Sequence, residues 1–239
     1  MSSLKILKDK SYYSRFQVKW RRRREGKTDY YSRKRIICQD KRKYSSPKYR
    51  IVVRISKHNI ICQCVNSNIE GDCVMNAMYS NKLKKFGISF GLTNFPCAYI
   101  CGLLLSKKIL KKKSLNTNNK HRLGQNIPKR IKAFLDIGLA RTTLGHKVFA
   151  CMKGIVDGGI DVPHSEKKYP GYTNEKGLDF TVLKHRIDGE HIYNYMNTLK
   201  EEDTVKFSRY FSSLLKFKMS LAIYKNLHIS ISSKILKDD

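Results

Sequence analysis

The stretch VKWRRRREGKTDYYSRKR, residues 18 to 35, sets nine Lys or Arg side chains against two acids. Like charges at this density repel, so no protein interior can enclose them without counter-charges brought alongside. Water or a polyanion must face the segment, which takes it out of any hydrophobic core. The surplus extends over the whole chain, where 49 Lys and Arg stand against 19 Asp and Glu for a formal charge of +30. Nucleic acid is the commonest partner of such a surplus, and an anionic membrane surface is second. Hydrophobic residues still make up 41% of the 239 positions, which argues against wholesale disorder and supplies a core.

Residues 1 to 48 have only Asp9, Glu25, Asp29 and Asp40 to set against their cations, and their apolar side chains are mostly isolated aromatics: Tyr12, Tyr13, Phe16, Trp20, Tyr30, Tyr31 and Tyr44. This part reads as a basic extension, with one short helix introduced by Thr28 as N-cap and supported by an Asp29–Arg33 pair. Period-2 alternation begins at residue 49, where Tyr49, Ile51, Val53 and Ile55 alternate with Arg50, Val52 and Arg54. NIICQCVN (59–66) and DCVMNAMYS (72–80) follow after short turns, which predicts an antiparallel meander of three strands.

The uncharged run FGISFGLTNFPCAYICGLLLS (86–106) has the length of a membrane span, but Gly, Ser, Thr, Asn and Pro interrupt its first half. A buried helix over about 95–110 is expected instead, capped by Thr93 or Asn94, with Pro96 in its first turn and Lys107, Lys108 and Lys111 to Lys113 at its negative end. Residues 107–132 hold ten Lys or Arg and no acid, and read as a loop. AFLDIG (133–138) is a fourth strand, followed by a helix capped by Thr142 or Thr143 with Leu144, Val148, Cys151, Met152 and Ile155 on its apolar face. The last third opens with the loop DVPHSEKKYPGY and turns helical, with stripes at Ile192, Tyr195, Met196, Leu199 and at Phe207, Phe211, Leu214, Leu215 that are expected to cover the protein's own core. The resulting class is α/β, a central sheet with covering helices. Its divisions are a basic N-terminal arm (1–48), a central domain (49–160) and a loop with a helical extension (161–239).

Seven cysteines without a C-x-x-C pair, behind an N-terminus charged from residue 5 and lacking an apolar h-region, imply free thiols in a reducing compartment. Cys62, Cys64 and Cys73 with His58 lack the paired spacing of a structural zinc site, and Cys62 and Cys64 share a strand face with Ile60 as small core residues do. No metal or other cofactor is expected.

Among the cations, arginine's fork of donors suits phosphate oxygens, and the interleaved Tyr, Phe and Trp rings offer stacking faces for unpaired bases, which points to RNA. Arg50 and Arg54 lie on one face of the first strand, about 13 Å apart at ~3.3 Å per residue, and either bridge two phosphates or belong to a solvated face. GLARTT places Arg141, Thr142 and Thr143 at the mouth of a helix, where free N–H groups attract phosphate. His164 reads as a hydrogen-bonding or phosphate-contacting residue. Catalysis is not expected, because the acids are scattered. The enzymatic rival is a metal-dependent nuclease using Asp136 with Asp72 or Asp157, and the other rival is a general binder of acidic partners or membranes.

YYSRFQVKWRRRREGKTDYYSRKR, SSPKYRIVVRISKHNIICQ, GLTNFPCAYICGLLL, FLDIGLARTTLGHKVFACMKGIVDGG, VPHSEKKYPGY and HIYNYMNTLKEED occur in that order. In this respect the chain, from about residue 8 to 228, resembles the eukaryotic-type family of large-subunit ribosomal proteins that bind 5S ribosomal RNA. The resemblance implies an RNA-embracing arm, a central domain of the ribonuclease H-like kind found in the translational machinery but without catalysis, and a helical extension. It implies assembly with 5S rRNA, large-subunit rRNA, a second 5S-binding ribosomal protein and neighbouring large-subunit proteins, docked on the central protuberance and not on a membrane. The corresponding location is the cytoplasmic ribosome, with assembly in the nucleus and nucleolus. Carried over by position, Arg15, Gln17, Lys19, Arg21, Arg22, Arg23, Arg24, Lys27, Thr28, Arg33 and Arg35 are RNA contacts of the arm. Arg141, Thr142, Lys147 and His164 are the corresponding contacts of the central domain. The chain departs from the family in the short, acid-free KKKSLNTNNKHRLGQNIPKRIK (111–132) and in ending at ISISSKILKDD, so contacts made through those regions are expected to be lost or replaced.

Overall fold

A computed structural model describes residues 8–44, 46–121, 131–216 and 221–237. Three short helices come first: α1 (Lys10–Arg15), α2 (Arg21–Arg24) and α3 (Tyr30–Ile37). The meander follows as β1 (Tyr49–Ile55), β2 (Ile60–Ser67) and β3 (Asp72–Tyr79), then helix α4 (Phe95–His121), strand β4 (Ala133–Asp136) and helix α5 (Lys147–Asp157). A small hairpin of β5 (Tyr172–Thr173) and β6 (Gly177–Leu178) leads into α6 (Phe180–Asp188), α7 (Glu190–Glu202), α8 (Thr204–Tyr210), α9 (Ser212–Lys216) and α10 (Leu221–Lys237).

The main sheet has the order β3-β2-β1-β4, antiparallel within the meander and parallel between β1 and β4. Its period-2 pattern sorts side chains by face. Ile51, Val53, Ile60, Cys62, Cys64 and Met78 point to the side covered by α4 and α5, where Cys97, Ile100, Cys101, Leu103, Val148, Cys151, Met152 and Ile155 meet them. Leu183 of α6 and Ile231 and Ile235 of α10 close the same core. Helices α4 and α5 approach unusually closely because two glycines sit at their crossing. A Cβ on Gly102 would lie 2.1 Å from the Cys151 carbonyl oxygen, and one on Gly154 would lie 2.1 Å from that of Tyr99.

Several expectations are corrected. Helix α4 does not stop near residue 110 but runs to His121, so 107–121 is helix rather than loop, and the lysines lie along it rather than at its end. Lysine is a good helix former, and the polar half of the helix finds partners on β3: Lys112 Nζ donates to the Met75 carbonyl at 3.1 Å, and Lys108 Nζ meets the Met78 sulfur at 3.5 Å. The rest of the expected loop, 122–130, lies outside the described residues. At the other helix, Thr142 and Thr143 cap nothing. His146 is the N-cap of α5, its Nδ1 accepting from the Val148 N–H at 3.3 Å, and Leu144 is exposed upstream of the helix. The two C-terminal stripes do pack inward, but on each other. Met196, Leu199, Phe207 and Leu214 form a second small core with Phe90, while Tyr195 and Leu215 stay exposed.

All seven cysteines are free thiols. Cys62, Cys64, Cys97, Cys101 and Cys151 are buried, and burial pushes the Cys64 thiol up to about 11, away from the thiolate that a zinc ion requires. Cys73 and His58 are exposed and stand apart from that buried pair. No helix among the described residues is long and apolar enough to cross a membrane.

Candidate nucleic-acid interface

From Lys8 to Tyr49 no described residue is buried. The four acids of this segment explain why it is nonetheless folded locally. Asp9 accepts from the Tyr12 N–H at 2.7 Å and so caps α1, Asp29 caps α3 through the Tyr31 and Ser32 N–H groups, and Asp40 accepts from the Arg42 N–H. The Ser32 hydroxyl also donates to Asp29 at 2.8 Å, and these bonds hold its carboxyl below the usual carboxylate range. Asp29, not Thr28, is therefore the cap of α3. Only Glu25 is spent on cations, at 2.8 Å from Lys27 and 3.7 Å from Arg21. Thr28 instead accepts from Arg22 Nε at 3.1 Å, and Arg24 Nε donates to the Lys19 carbonyl at 2.9 Å. These bonds set the turn that presents Arg21, Arg22, Arg23 and Arg24 to solvent. Arg15, Gln17 and Lys19 are exposed as well, and Arg35 lies over the Tyr31 ring at 4.1 Å.

Arg33 does not pair with Asp29. Its Nη2 reaches across to Asp72 at the start of β3, 2.8 Å away, which ties α3 to the open face of the sheet. That face carries Arg50, Val52 and Arg54 of β1, Gln63 and Val65 of β2, and Asp72 and Val74 of β3. In the parallel register Asp136 of β4 stands opposite Val52, between the two arginines that flank it. Arg50 Nη1 donates to Asp136 at 2.8 Å and Arg54 Nη2 donates to its other oxygen at 2.7 Å, while the remaining terminal nitrogen of Arg50 is bonded to Asp72.

Three arginines and two aspartates thus form one network spanning three strands and α3. Arg50 is not a free cation on a solvated face, since it is 5% exposed and both of its terminal nitrogens are engaged, whereas the Arg54 side chain stays 43% exposed. Partial burial raises the Asp72 carboxyl, but hydrogen bonds from Arg33 and Ser67 and the charges of Arg50 and Arg33 outweigh it and leave the group below its ordinary value.

Between α3 and this face runs a groove of about 810 Å³. It gathers Arg22, Lys27, Thr28, Arg33, Arg50 and Arg54 of the expected contact residues. Asp136 also accepts from the Gly138 N–H at 3.1 Å and so orders the loop that carries Arg141 and Thr142. That loop is exposed and lies four to six residues before α5, so the helix mouth expected at 141–143 is not there. It is joined to the loop of His164 by the Gly145 N–H, which donates to the Lys168 carbonyl at 2.9 Å. His164 Nδ1 lies 2.7 Å from the Val162 carbonyl oxygen and its ring meets Tyr169 edge-on, while Lys147 is half-buried at the first turn of α5.

The nuclease geometry does not assemble. Arg50 occupies the space between Asp72 and Asp136, and Asp157, engaged by Tyr99 and Lys153, lies at the end of α5 on the covered side of the sheet. No group of three metal-ligating side chains exists among the described residues. What sequence reasoning missed is the role of Asp72 and Asp136 as shared counter-ions. Their carboxylates were visible, but the strand register that brings them to Arg50 was not.

Comparison with known proteins gives the same direction as this surface. The profile of the family described as ribosomal large subunit proteins 60S L5 and 50S L18 matches residues 14–165. The chain is similar to large ribosomal subunit protein uL18 of Styela clava, with 44% identity over 100% of this chain and 85% of that protein. Against the proteins of that name from Drosophila melanogaster and Caenorhabditis elegans it is 45% identical, over 97% of this chain and 83% and 84% of theirs. The chain therefore belongs to the family of large-subunit ribosomal proteins that comprises 60S L5 and 50S L18.

Proposed function

We propose that this chain is a structural, non-enzymatic constituent of the large ribosomal subunit that binds 5S rRNA and helps anchor the 5S ribonucleoprotein in the central protuberance. The observation that carries this reading is the use of the acids in residues 8–44. Two of the four cap α1 and α3, Asp40 binds the Arg42 N–H, and Glu25 alone forms ion pairs with cations of the segment, so most of the counter-charge for the Arg-rich turn is left to come from outside the chain. In this reading the first 48 residues embrace RNA, residues 49–160 are the rigid frame, and 161–239 form the extension that meets neighbouring large-subunit proteins and a second 5S-binding protein.

Arg15, Gln17, Lys19, Arg21 to Arg24, Lys27, Thr28 and Arg35 contact RNA directly. Arg33 and Arg54 offer their remaining N–H groups along the groove, and Arg141, Thr142, Lys147 and His164 form a second patch. Arg50, enclosed by Asp72 and Asp136, acts by holding its neighbours in place. The same reading assigns the sheet to the ribonuclease H-like group, supported by the order β3-β2-β1-β4 with β4 parallel to β1. Assembly in the nucleus and residence on cytoplasmic ribosomes follow from the same role.

Filter binding of the full chain to 5S rRNA over a range of salt tests the proposal. Contact with about eight phosphates gives a log–log slope of about −6 to −7. A slope near zero, or equal affinity for 5S rRNA, heparin and anionic vesicles, would refute it.

A further inference from the structure

We infer that a notch lined by Gln17, Val18, Lys19, Trp20, Arg23 and Tyr30 receives one unpaired nucleobase of RNA, an inference that rests on the RNA-binding reading above. The notch is an open depression of about 380 Å³, which a flat ring can cover from one side. Trp20 is the chain's only tryptophan and is 70% exposed. An indole so exposed forgoes most of the free energy of burying its large apolar surface.

Its orientation is nevertheless fixed. Tyr30 meets it in a T-shaped contact with ring centroids 4.5 Å apart and planes at 73°. The backbone beneath is fixed too, because the Trp20 carbonyl accepts from the Arg23 and Arg24 N–H groups at 2.9 and 3.0 Å. An edge-on neighbour sets the plane of a ring without providing a parallel stacking partner. A ring held in place before binding loses little freedom when such a partner arrives.

Charge identifies the partner. Lys19 and Arg23 line the notch, and the other three arginines of α2 follow Trp20 directly. A polyanion that carries a flat ring beside each phosphate satisfies both the cations and the indole, and that polymer is a single-stranded nucleic acid. A lipid anchor would need a broader apolar surface than Val18 and Tyr30 add to the tryptophan, and the rest of the lining is Gln17, Lys19 and Arg23.

Because Trp20 is the only tryptophan, emission excited at the red edge of the absorption band, where the 14 tyrosines do not absorb, reports on this notch alone. The full-length chain is titrated with 5S rRNA, with a short unstructured oligoribonucleotide, with an abasic oligomer of equal length, and with phosphatidylserine vesicles, while filter binding follows the RNA in parallel. Expected are quenching of the emission by 5S rRNA and by the base-bearing oligomer, and none by the abasic one. Replacing Trp20 by Leu is expected to weaken 5S rRNA binding by roughly 5- to 150-fold, with the salt slope unchanged because no phosphate contact is lost, while Trp20→Phe retains most of the affinity. Far-UV circular dichroism confirms that the variants stay folded.

Emission that stays constant while filter binding shows 5S rRNA bound, or equal quenching by the abasic oligomer, overturns the notch and leaves the RNA-binding reading intact. Absence of RNA binding overturns both. Quenching by vesicles but not by RNA assigns the notch to a membrane and overturns the inference.

Discussion

Replacing Asp136 by asparagine preserves the shape of the side chain and removes one negative charge from between two guanidinium groups. The Asp136 side chain is 8% exposed and accepts three hydrogen bonds, at 2.8 Å from Arg50, 2.7 Å from Arg54 and 3.1 Å from the Gly138 N–H. Removing one member of a buried ion pair costs about 3–5 kcal/mol, because the other charge stays buried. Two features place this case at the low end. Asp72 still holds Arg50, and the Arg54 side chain is 43% exposed, so water screens that second pair. The expected loss is therefore about 3 kcal/mol, a large part of a typical folding free energy.

Urea unfolding followed by circular dichroism measures it directly. With a slope of about 2 kcal/mol/M, the midpoint falls by about 1.5 M. A second readout has the opposite sign from what charge alone predicts. The substitution makes the chain more positive, which by itself tightens RNA binding. If Asp136 acts by positioning Arg54 and the Arg141 loop, 5S rRNA affinity falls instead. A midpoint shift below about 0.5 M, or tighter RNA binding, would refute the network as described.

Other substitutions test the scaffold. Gly154→Ala forces a Cβ to 2.1 Å from the Tyr99 carbonyl oxygen, so α4 and α5 must separate. The clash is with backbone, so overpacking of about 3 kcal/mol, the upper end of the usual range, outweighs the helix preference of alanine, about 1 kcal/mol, and thermal unfolding should show a net loss of about 2 kcal/mol. His228 of α10 is buried, and desolvation, with the nearby His191, pushes its pKa down to about 4. The unfolded chain therefore binds the extra proton first as pH falls from about 6.5 towards 4, and stability drops over that window by about 1.4 kcal/mol per unit. Denaturation at pH 7 and pH 5 should show this slope flattened in His228→Gln. Asp29→Ala removes the cap of α3 and should be seen as faster amide exchange over residues 30–37.

The meander and the inward face of the sheet were legible because strand periodicity sorts Ile51, Val53, Cys62 and Cys64 directly. The basic segment was legible from charge alone. What failed were the judgements that tertiary contacts decide. A run of lysines looks like a solvated loop until Met75 and Met78 of β3 supply a carbonyl and a sulfur for two of them. Thr142 and Thr143 are better caps than histidine by preference, yet Asp136 orders the loop through Gly138, and the helix begins only at Lys147. Pattern also cannot supply the pairing of β4 with β1, and without that register Arg50 and Arg54 look like free cations rather than members of a network. The close crossing at Gly102 and Gly154 leaves no periodic trace either. Only the three-dimensional approach of two backbones reveals why neither position carries a side chain.

Ultraviolet crosslinking within purified large ribosomal subunits, with the crosslinked peptides and nucleotides both identified, addresses the central claim that RNA supplies the counter-charge of the N-terminal segment. Crosslinks from residues 15–35 to 5S rRNA, with Trp20 and its arginine neighbours prominent, are the expected result. A segment that crosslinks to no nucleotide, while other parts of the same chain do, would contradict the account.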